Sequence, residues 1–211
     1  MQIEVWSDVI CPWCYIGKRR LEIALAKFPH WENVQVIWRS FELDPDSPRQ
    51  LPGTLEEMLA QKYGVSSQEA AAMNARVTEV AKEVGLEYRL ADAHPGNTFD
   101  AHRLLHFAAS RQLDDGASER LMHAYFSESL PVGDHAALAR LAPAFGITEK
   151  EALAMLESDT YSKEVRADEV RAANFGITAV PFFLIDENVA ISGAQPVEVF
   201  ASALQQAWKD S

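Results

Sequence analysis

The chain has 211 residues, 48% of them hydrophobic, with 19 basic against 31 acidic side chains and a formal net charge of −12. That length allows one or two domains with a substantial core, and the acidic balance disfavours non-specific binding to nucleic acid or to an anionic membrane surface. Lys18-Arg19-Arg20 is the one basic cluster and has no wider electrostatic support. The opening Met1-Gln2-Ile3-Glu4-Val5-Trp6 lacks a basic segment followed by a long apolar core, so it does not read as a secretory signal. No run approaches the roughly 18 apolar residues that cross a bilayer. A cytoplasmic location is expected, and there structural disulfides are rare.

Residues 2–6 read as a short buried strand. The only two cysteines follow, in Cys11-Pro12-Trp13-Cys14. After them Gly17, Leu21, Ala24, Leu25 and Phe28 repeat at helical spacing. Pro12 suits the first helical position, where its missing N–H costs nothing, and Pro29 ends the pattern. Val34-Gln35-Val36-Ile37-Trp38 reads as a second strand, so the first 45 residues predict a parallel β-α-β unit.

Residues 45–53 are rich in turn formers and mark a boundary. From Thr54 to about Asn174 the pattern predicts six or seven helices and little strand. Apolar stripes run through Val77, Val80, Ala81 and Val84, then Leu104, Leu105 and Ala108, then Leu121, Met122 and Tyr125, then Leu138, Leu141 and Ala142, and last Leu153 and Leu156. Strand character returns at Val180-Pro181-Phe182-Phe183-Leu184-Ile185. A polar turn leads to Val189-Ala190-Ile191 as a hairpin, and Pro196 opens a last helix. The expected architecture is α/β. Residues 1–45 and 175–211 form one discontinuous domain, and residues 54–174 form an inserted helical one.

Two residues of spacing let both sulfurs meet across the first turn of a helix. Cys11, at the helix start, faces unpaired backbone N–H groups and the positive end of the helix dipole, which favour its anion. Cys14 lies one turn in and is expected to be more buried. Cys11 is therefore read as the attacking thiol and Cys14 as the resolving one, with exchange through a mixed disulfide. The duller alternatives are a static disulfide or two unrelated thiols. A zinc half-site is another, with His102 and His106 as the further ligands.

The strand–Cys-Pro-Trp-Cys–helix start, the helical insertion and Gly176-Ile177-Thr178-Ala179-Val180-Pro181 together resemble the thioredoxin superfamily. More narrowly, the chain is similar to the cytosolic DsbA-like oxidoreductases called FrnE-like. Ser7-Asp8-Val9-Ile10, Tyr15-Ile16-Gly17-Lys18, residues 97–103 (Asn-Thr-Phe-Asp-Ala-His-Arg) and Ser192-Gly193-Ala194-Gln195-Pro196 also match that family. The resemblance implies a thioredoxin-like fold with a large all-helical insertion and a thiol–disulfide oxidoreductase without bound cofactor. Its partners would be protein or small-molecule thiols and disulfides, with glutathione a candidate co-substrate, and no metal, nucleic acid or membrane. The chain would act as a monomer or homodimer. It also implies that Pro181 is cis and faces the sulfurs, leaving Val180 to pair with an extended substrate. Pro12, Trp13, Val180, Pro181, His102 and Arg103 are the expected substrate-binding residues; for His102 and Arg103 the alternative is that Arg103 pairs with an acid and His102 packs.

Two departures from the pattern matter. The acid that many relatives carry six residues before the attacking Cys is Val5 here, which leaves Asp8 or a water to take the Cys14 proton. Strongly oxidising members have His where this chain has Trp13, which is uncharged. A potential less oxidising than that of periplasmic DsbA is expected. Kappa-type glutathione transferases and hydroxychromene-carboxylate isomerases share the architecture but place Ser where Cys11 stands. That class is the alternative enzyme reading, and a redox-inert binding module is the alternative outside enzymology.

Overall fold

A computed structural model describes residues 1–210. It divides into two compact units, one built from Met1–Leu43 and the segment from Arg166 onward, the other from Asp44–Val165.

The first unit is organised by strand β1, Gln2–Ser7. It runs into helix α1, Pro12–Leu25, and strand β2, Gln35–Ser40. β1 and β2 pair in parallel, with Val5 opposite Trp38, as a crossover through a helix requires. Strands β3 (Phe182–Ile185) and β4 (Val189–Ser192) form an antiparallel hairpin, and β3 joins β1 antiparallel, giving the order β2-β1-β3-β4. Helix α9, Val197–Asp210, closes the chain. This mixed four-stranded sheet, entered through β-α-β and left through β-β-α, matches the expected thioredoxin-like core.

Alternation along β1 sends its side chains to two different layers. Ile3 and Val5 pack with Leu21 and Ala24 of α1, Phe183, Ile185 and Ile191 of the sheet, and Phe200 and Leu204 of α9. Trp6 points the other way, with Ala172, Ile177 and Leu184. Glu4 lies on that second face and is only 2% exposed. It stays ionised because two arginines reach it. Arg171 donates from Nε at 2.9 Å and from Nη2 at 2.6 Å, and Arg39 donates from Nε at 2.7 Å. Arg39 also donates to Asp168 at 3.0 Å, while Asp168 accepts the Ser40 N–H at 2.9 Å. The Trp6 indole N–H donates to the Asp168 carbonyl at 3.1 Å.

That network explains a shift in the domain edge. The sequence pattern places everything to residue 174 in the insertion. Helix α8, Ser162–Asn174, nonetheless belongs with the sheet from Arg166 onward. It carries few apolar residues, so an apolar stripe is a poor guide. Asp168 and Arg171 hold it by charge.

The second unit contains helices α2 (Leu55–Tyr63), α3 (Ser67–Glu83), α4 (Phe99–Ala109), α5 (Asp114–Glu128), α6 (His135–Leu141) and α7 (Glu149–Leu156). Three of them begin with a capping box, Thr54 with Glu57, Ser66 with Glu69 and Thr148 with Glu151. Each box satisfies two orphan N–H groups at once. At the third, the Thr148 hydroxyl and Arg111 hold the Glu151 carboxyl down to about 2. Among the described residues, no helix is long and apolar enough to cross a membrane.

Candidate active site

Cys11 occupies the N-cap of α1 with extended backbone (φ −84°, ψ 113°), and Pro12 stands at the start of the helix. The Cys11 carbonyl accepts the Cys14 N–H at 3.0 Å and the Tyr15 N–H at 3.4 Å, which begins the helical ladder. No acidic residue lies in the first turn, so no carboxylate within that turn offsets the helix's positive end. The approach from β1 is pinned by fully buried Asp8. Its carbonyl accepts the Cys11 N–H at 3.1 Å, and its carboxylate accepts the Leu43 N–H at 2.7 Å.

Both cysteines are free thiols, and both are buried, Cys14 to 1% exposure and Cys11 to 4%. Trp13 between them is 42% exposed. Burial pushes the Cys14 thiol well above its usual range, and the hydrogen bond and charge of Cys11 add to the rise. A buried anion beside another sulfur is costly. The Asp8 backbone N–H and the Ser7 hydroxyl act in the opposite direction and are outweighed. Cys14 therefore rests as a thiol.

The Val180–Pro181 peptide is cis, and the Val180 carbonyl accepts the Cys11 thiol at 3.8 Å. A thiolate cannot donate, so this contact belongs to the protonated form alone. The sequence reading assigns the Val180 carbonyl to a substrate strand; in the resting dithiol it faces Cys11. The Pro181 carbonyl accepts the Gly193 N–H at 2.8 Å, which ties the turn to the hairpin.

Gly17, one turn beyond Cys14, makes this approach possible. A Cβ there would lie 3.0 Å from Pro181 Cγ and 3.1 Å from Phe183 Cζ. Gly17→Val is expected to overpack the contact and cost about 1–3 kcal/mol of stability. Urea unfolding measures that loss, and the exchange rate should fall with it as the sulfurs move from the Val180–Pro181 turn. Unchanged values for both would show that the close approach is unimportant.

His102 and Arg103, expected to orient substrate, are buried side chains of α4, at 1% and 3% exposure. The Arg103 guanidinium is fully engaged. It donates to the carbonyls of Met155 (2.9 Å), Leu156 (3.3 Å), Ser158 and Thr160 (2.9 Å), and to Asp100 Oδ1 at 2.7 Å. Those carbonyls lie in the last turn of α7 and just beyond it, where intrahelical N–H partners run out, so Arg103 caps that helix. Asp100 balances it and also contacts His135 Nε2 at 2.6 Å. Burial raises the Asp100 carboxyl, but His135 and Arg103 outweigh it and hold the group below its ordinary value. Of the two readings that the sequence offers for the His-Arg pair, the structure shows Arg103 paired with an acid and His102 packed. Helical spacing does not say which carbonyls the guanidinium will meet. Among the described residues no three His, Cys, Asp or Glu side chains cluster as metal ligands.

Ser7, Gly17 and the Glu4 network are the features that sequence reasoning passes over. Glu4 carried a signal, since an acid between Ile3 and Val5 in a buried strand demands a partner.

A DSBA-like thioredoxin domain model matches residues 2–205. The fold superposes with a TM-score of 0.96 on the crystal structure of a probable DsbA oxidoreductase, SCO1869, from Streptomyces coelicolor. That match is 44% identical and covers 100% of this chain and 91% of the other. A Bacillus subtilis (strain 168) protein, YwbO, is 29% identical over 99% of this chain and 98% of its own. The cytosolic disulfide reductase DsbM from Pseudomonas aeruginosa shares the fold at a TM-score of 0.68 and 14% identity, with full coverage of both chains. With a helix-mouth dithiol on a mixed four-stranded sheet and a family match over nearly its whole length, the chain belongs to the DSBA-like thioredoxin domain family.

Proposed function

We propose that this protein is a thiol–disulfide oxidoreductase whose Cys11–Cys14 pair trades a disulfide with protein or small-molecule thiols. The observation that carries the reading is two free thiols one helical turn apart, with Cys11 at the helix mouth against the Val180–Pro181 turn. In the oxidising direction, a partner thiolate attacks Cys11 of the protein disulfide and Cys14 leaves. A second partner thiolate then attacks the partner sulfur of the mixed disulfide, so the partner leaves oxidised and the protein leaves as dithiol. In the reducing direction, the Cys11 thiolate attacks a partner disulfide, and Cys14 loses its proton and displaces the second partner sulfur. The raised Cys14 thiol suits this order, because it stays protonated until Cys11 is covalently occupied.

Pro12, Trp13, Val180 and Pro181 form the docking surface in this reading, with exposed Trp13 the first contact. His102 and Arg103 act by shaping the insertion. The partners act on a cytoplasmic protein of the FrnE-like subgroup that needs no bound cofactor. A glutathione-bound structure of DsbM makes glutathione the small thiol to try first. With uncharged Trp13 in place of His, the potential is expected to be less oxidising than that of periplasmic DsbA.

Reduction of insulin with dithiothreitol tests the reading. Wild type should be active and Cys11→Ser inactive. Glutathione conjugation surviving Cys14→Ala would favour the kappa-type transferase or isomerase class instead. Inactivity in both assays would leave a redox-inert binding module.

A further inference from the structure

Ser7 ends β1, four residues before Cys11, and is 5% exposed. Its hydroxyl oxygen is buried and completes no hydrogen bond in the resting dithiol. A buried hydroxyl without a partner is costly and calls for an explanation, of which a redox role is one. Around it, β1 supplies only apolar side chains, Ile3 and Val5, on the sheet face packed by α1. Glu4, the neighbouring carboxylate on β1, lies on the opposite face and is held by Arg39 and Arg171. Asp8 is turned to Leu43 and Ile10. Neither carboxylate is free to serve the buried sulfur, and Cys14 is the group toward which the Ser7 hydroxyl acts.

We propose that Ser7 is the hydrogen-bond donor that receives the Cys14 thiolate, completing with the Asp8 backbone N–H a two-donor cradle for that sulfur. The assignment rests on the exchange reading above and deepens it. In the resolving step Cys14 gives up its proton to solvent or to the departing thiolate. Its sulfur attacks Cys11 Sγ, the Cys11–Cys14 bond forms, and the bond from Cys11 to the partner sulfur breaks. The partner leaves as a thiol, reduced, and the protein pair is oxidised by the same two electrons. In reverse, Cys14 is the leaving group. In both directions charge gathers on Cys14 at the moment the Ser7 hydroxyl gains an acceptor, so the hydrogen bond forms in the transition state and not in the resting protein. No buried carboxylate has to share the site, which a hydroxyl can serve without adding charge.

The test separates Cys14 chemistry from Cys11 chemistry. A mixed disulfide is loaded on Cys11 with a glutathione-derived probe, and its resolution is followed by stopped flow across pH in wild type and Ser7→Ala. Loss of a donor to a charged sulfur should slow resolution about tenfold and move its pH profile to higher pH. Formation of the mixed disulfide, measured in Cys14→Ala with and without Ser7→Ala, should not change. Ser7→Thr should recover more of the resolution rate than Ser7→Val, its isostere without the hydroxyl. Equal resolution rates and pH profiles in wild type and Ser7→Ala would overturn the proposal, as would equal slowing of both half-reactions, which marks a purely structural role. If Cys14→Ala, which cannot resolve the adduct, forms no mixed disulfide at all, the parent reading fails before Ser7 is at issue.

Discussion

Cys14→Ala is expected to accumulate a mixed disulfide on Cys11 that wild type never builds up. In wild type the second sulfur sits one helical turn away, and an intramolecular thiol of that proximity acts at an effective concentration far above any cellular thiol. Removing it leaves only partner thiols from solution to release the adduct, so its lifetime should lengthen by roughly a hundredfold or more. Cys11→Ser should form no adduct, because Cys14 is 1% exposed and rests protonated. Non-reducing mass spectrometry after incubation with a disulfide-bonded client, or with oxidised glutathione, reads both variants. An adduct on Cys14 in the Cys11→Ser variant, at the rate seen for Cys11, would reverse the assignment of roles.

Glu4→Gln should weaken the sheet unit substantially, although it touches no sulfur. The carboxylate is 2% exposed and accepts from two arginines, one of which also bridges to Asp168. Neutralising it leaves Arg39 and Arg171 short of an acceptor and loosens α8 from β1. Both arginines keep partial access to water, so the loss should be about 2 kcal/mol rather than the larger figure for a fully dry pair.

The pH dependence has a definite sign. Burial pushes the Glu4 carboxyl up, but the hydrogen bonds and charges of Arg171 and Arg39 outweigh it and leave the group below its ordinary value. A carboxyl depressed on folding contributes stability that is present above its unfolded pKa and lost as pH falls through its folded value. The difference between wild type and Glu4→Gln should therefore be full at neutral pH and shrink as pH drops below about 4. Urea midpoints at several pH values measure this. A difference that grew on acidification would mean the carboxylate is not held by the arginines.

Much of the sheet unit was legible from residues 2–45 and 180–208, for plain physical reasons. Cys-Pro-Trp-Cys between an apolar strand and a helical stripe sets the strand–helix junction. Buried strands of Val, Ile and Phe announce themselves, and Asp186-Glu187-Asn188 marks the hairpin turn. Interactions carried by charge across long sequence separations were not legible. Arg171 finds Glu4 from 167 residues away, and Arg103 finds four carbonyls between residues 155 and 160. Periodicity reports which face is apolar and says nothing about where a guanidinium ends. The three Ser/Thr-x-x-Glu boxes are local by contrast and carried a signal that the sequence reading did not use, because Thr54, Ser66 and Thr148 each stand three residues before a Glu. In the candidate site, Cys11, Cys14, Val180 and Pro181 could be named in advance. Gly17 could be placed only once its distance to Pro181 was known, since a helical glycine alone is silent about what approaches it.

The most direct measurement is the mass of the first 18 residues after the native protein is equilibrated with oxidised and reduced glutathione. A trypsin cut after Lys18 releases both cysteines in one peptide. The peptide is predicted to lose the mass of two hydrogen atoms and to resist alkylation until reductant is added, with the proportion following the glutathione ratio. Two thiols that alkylate freely at every ratio, or two separate glutathione adducts, would contradict it.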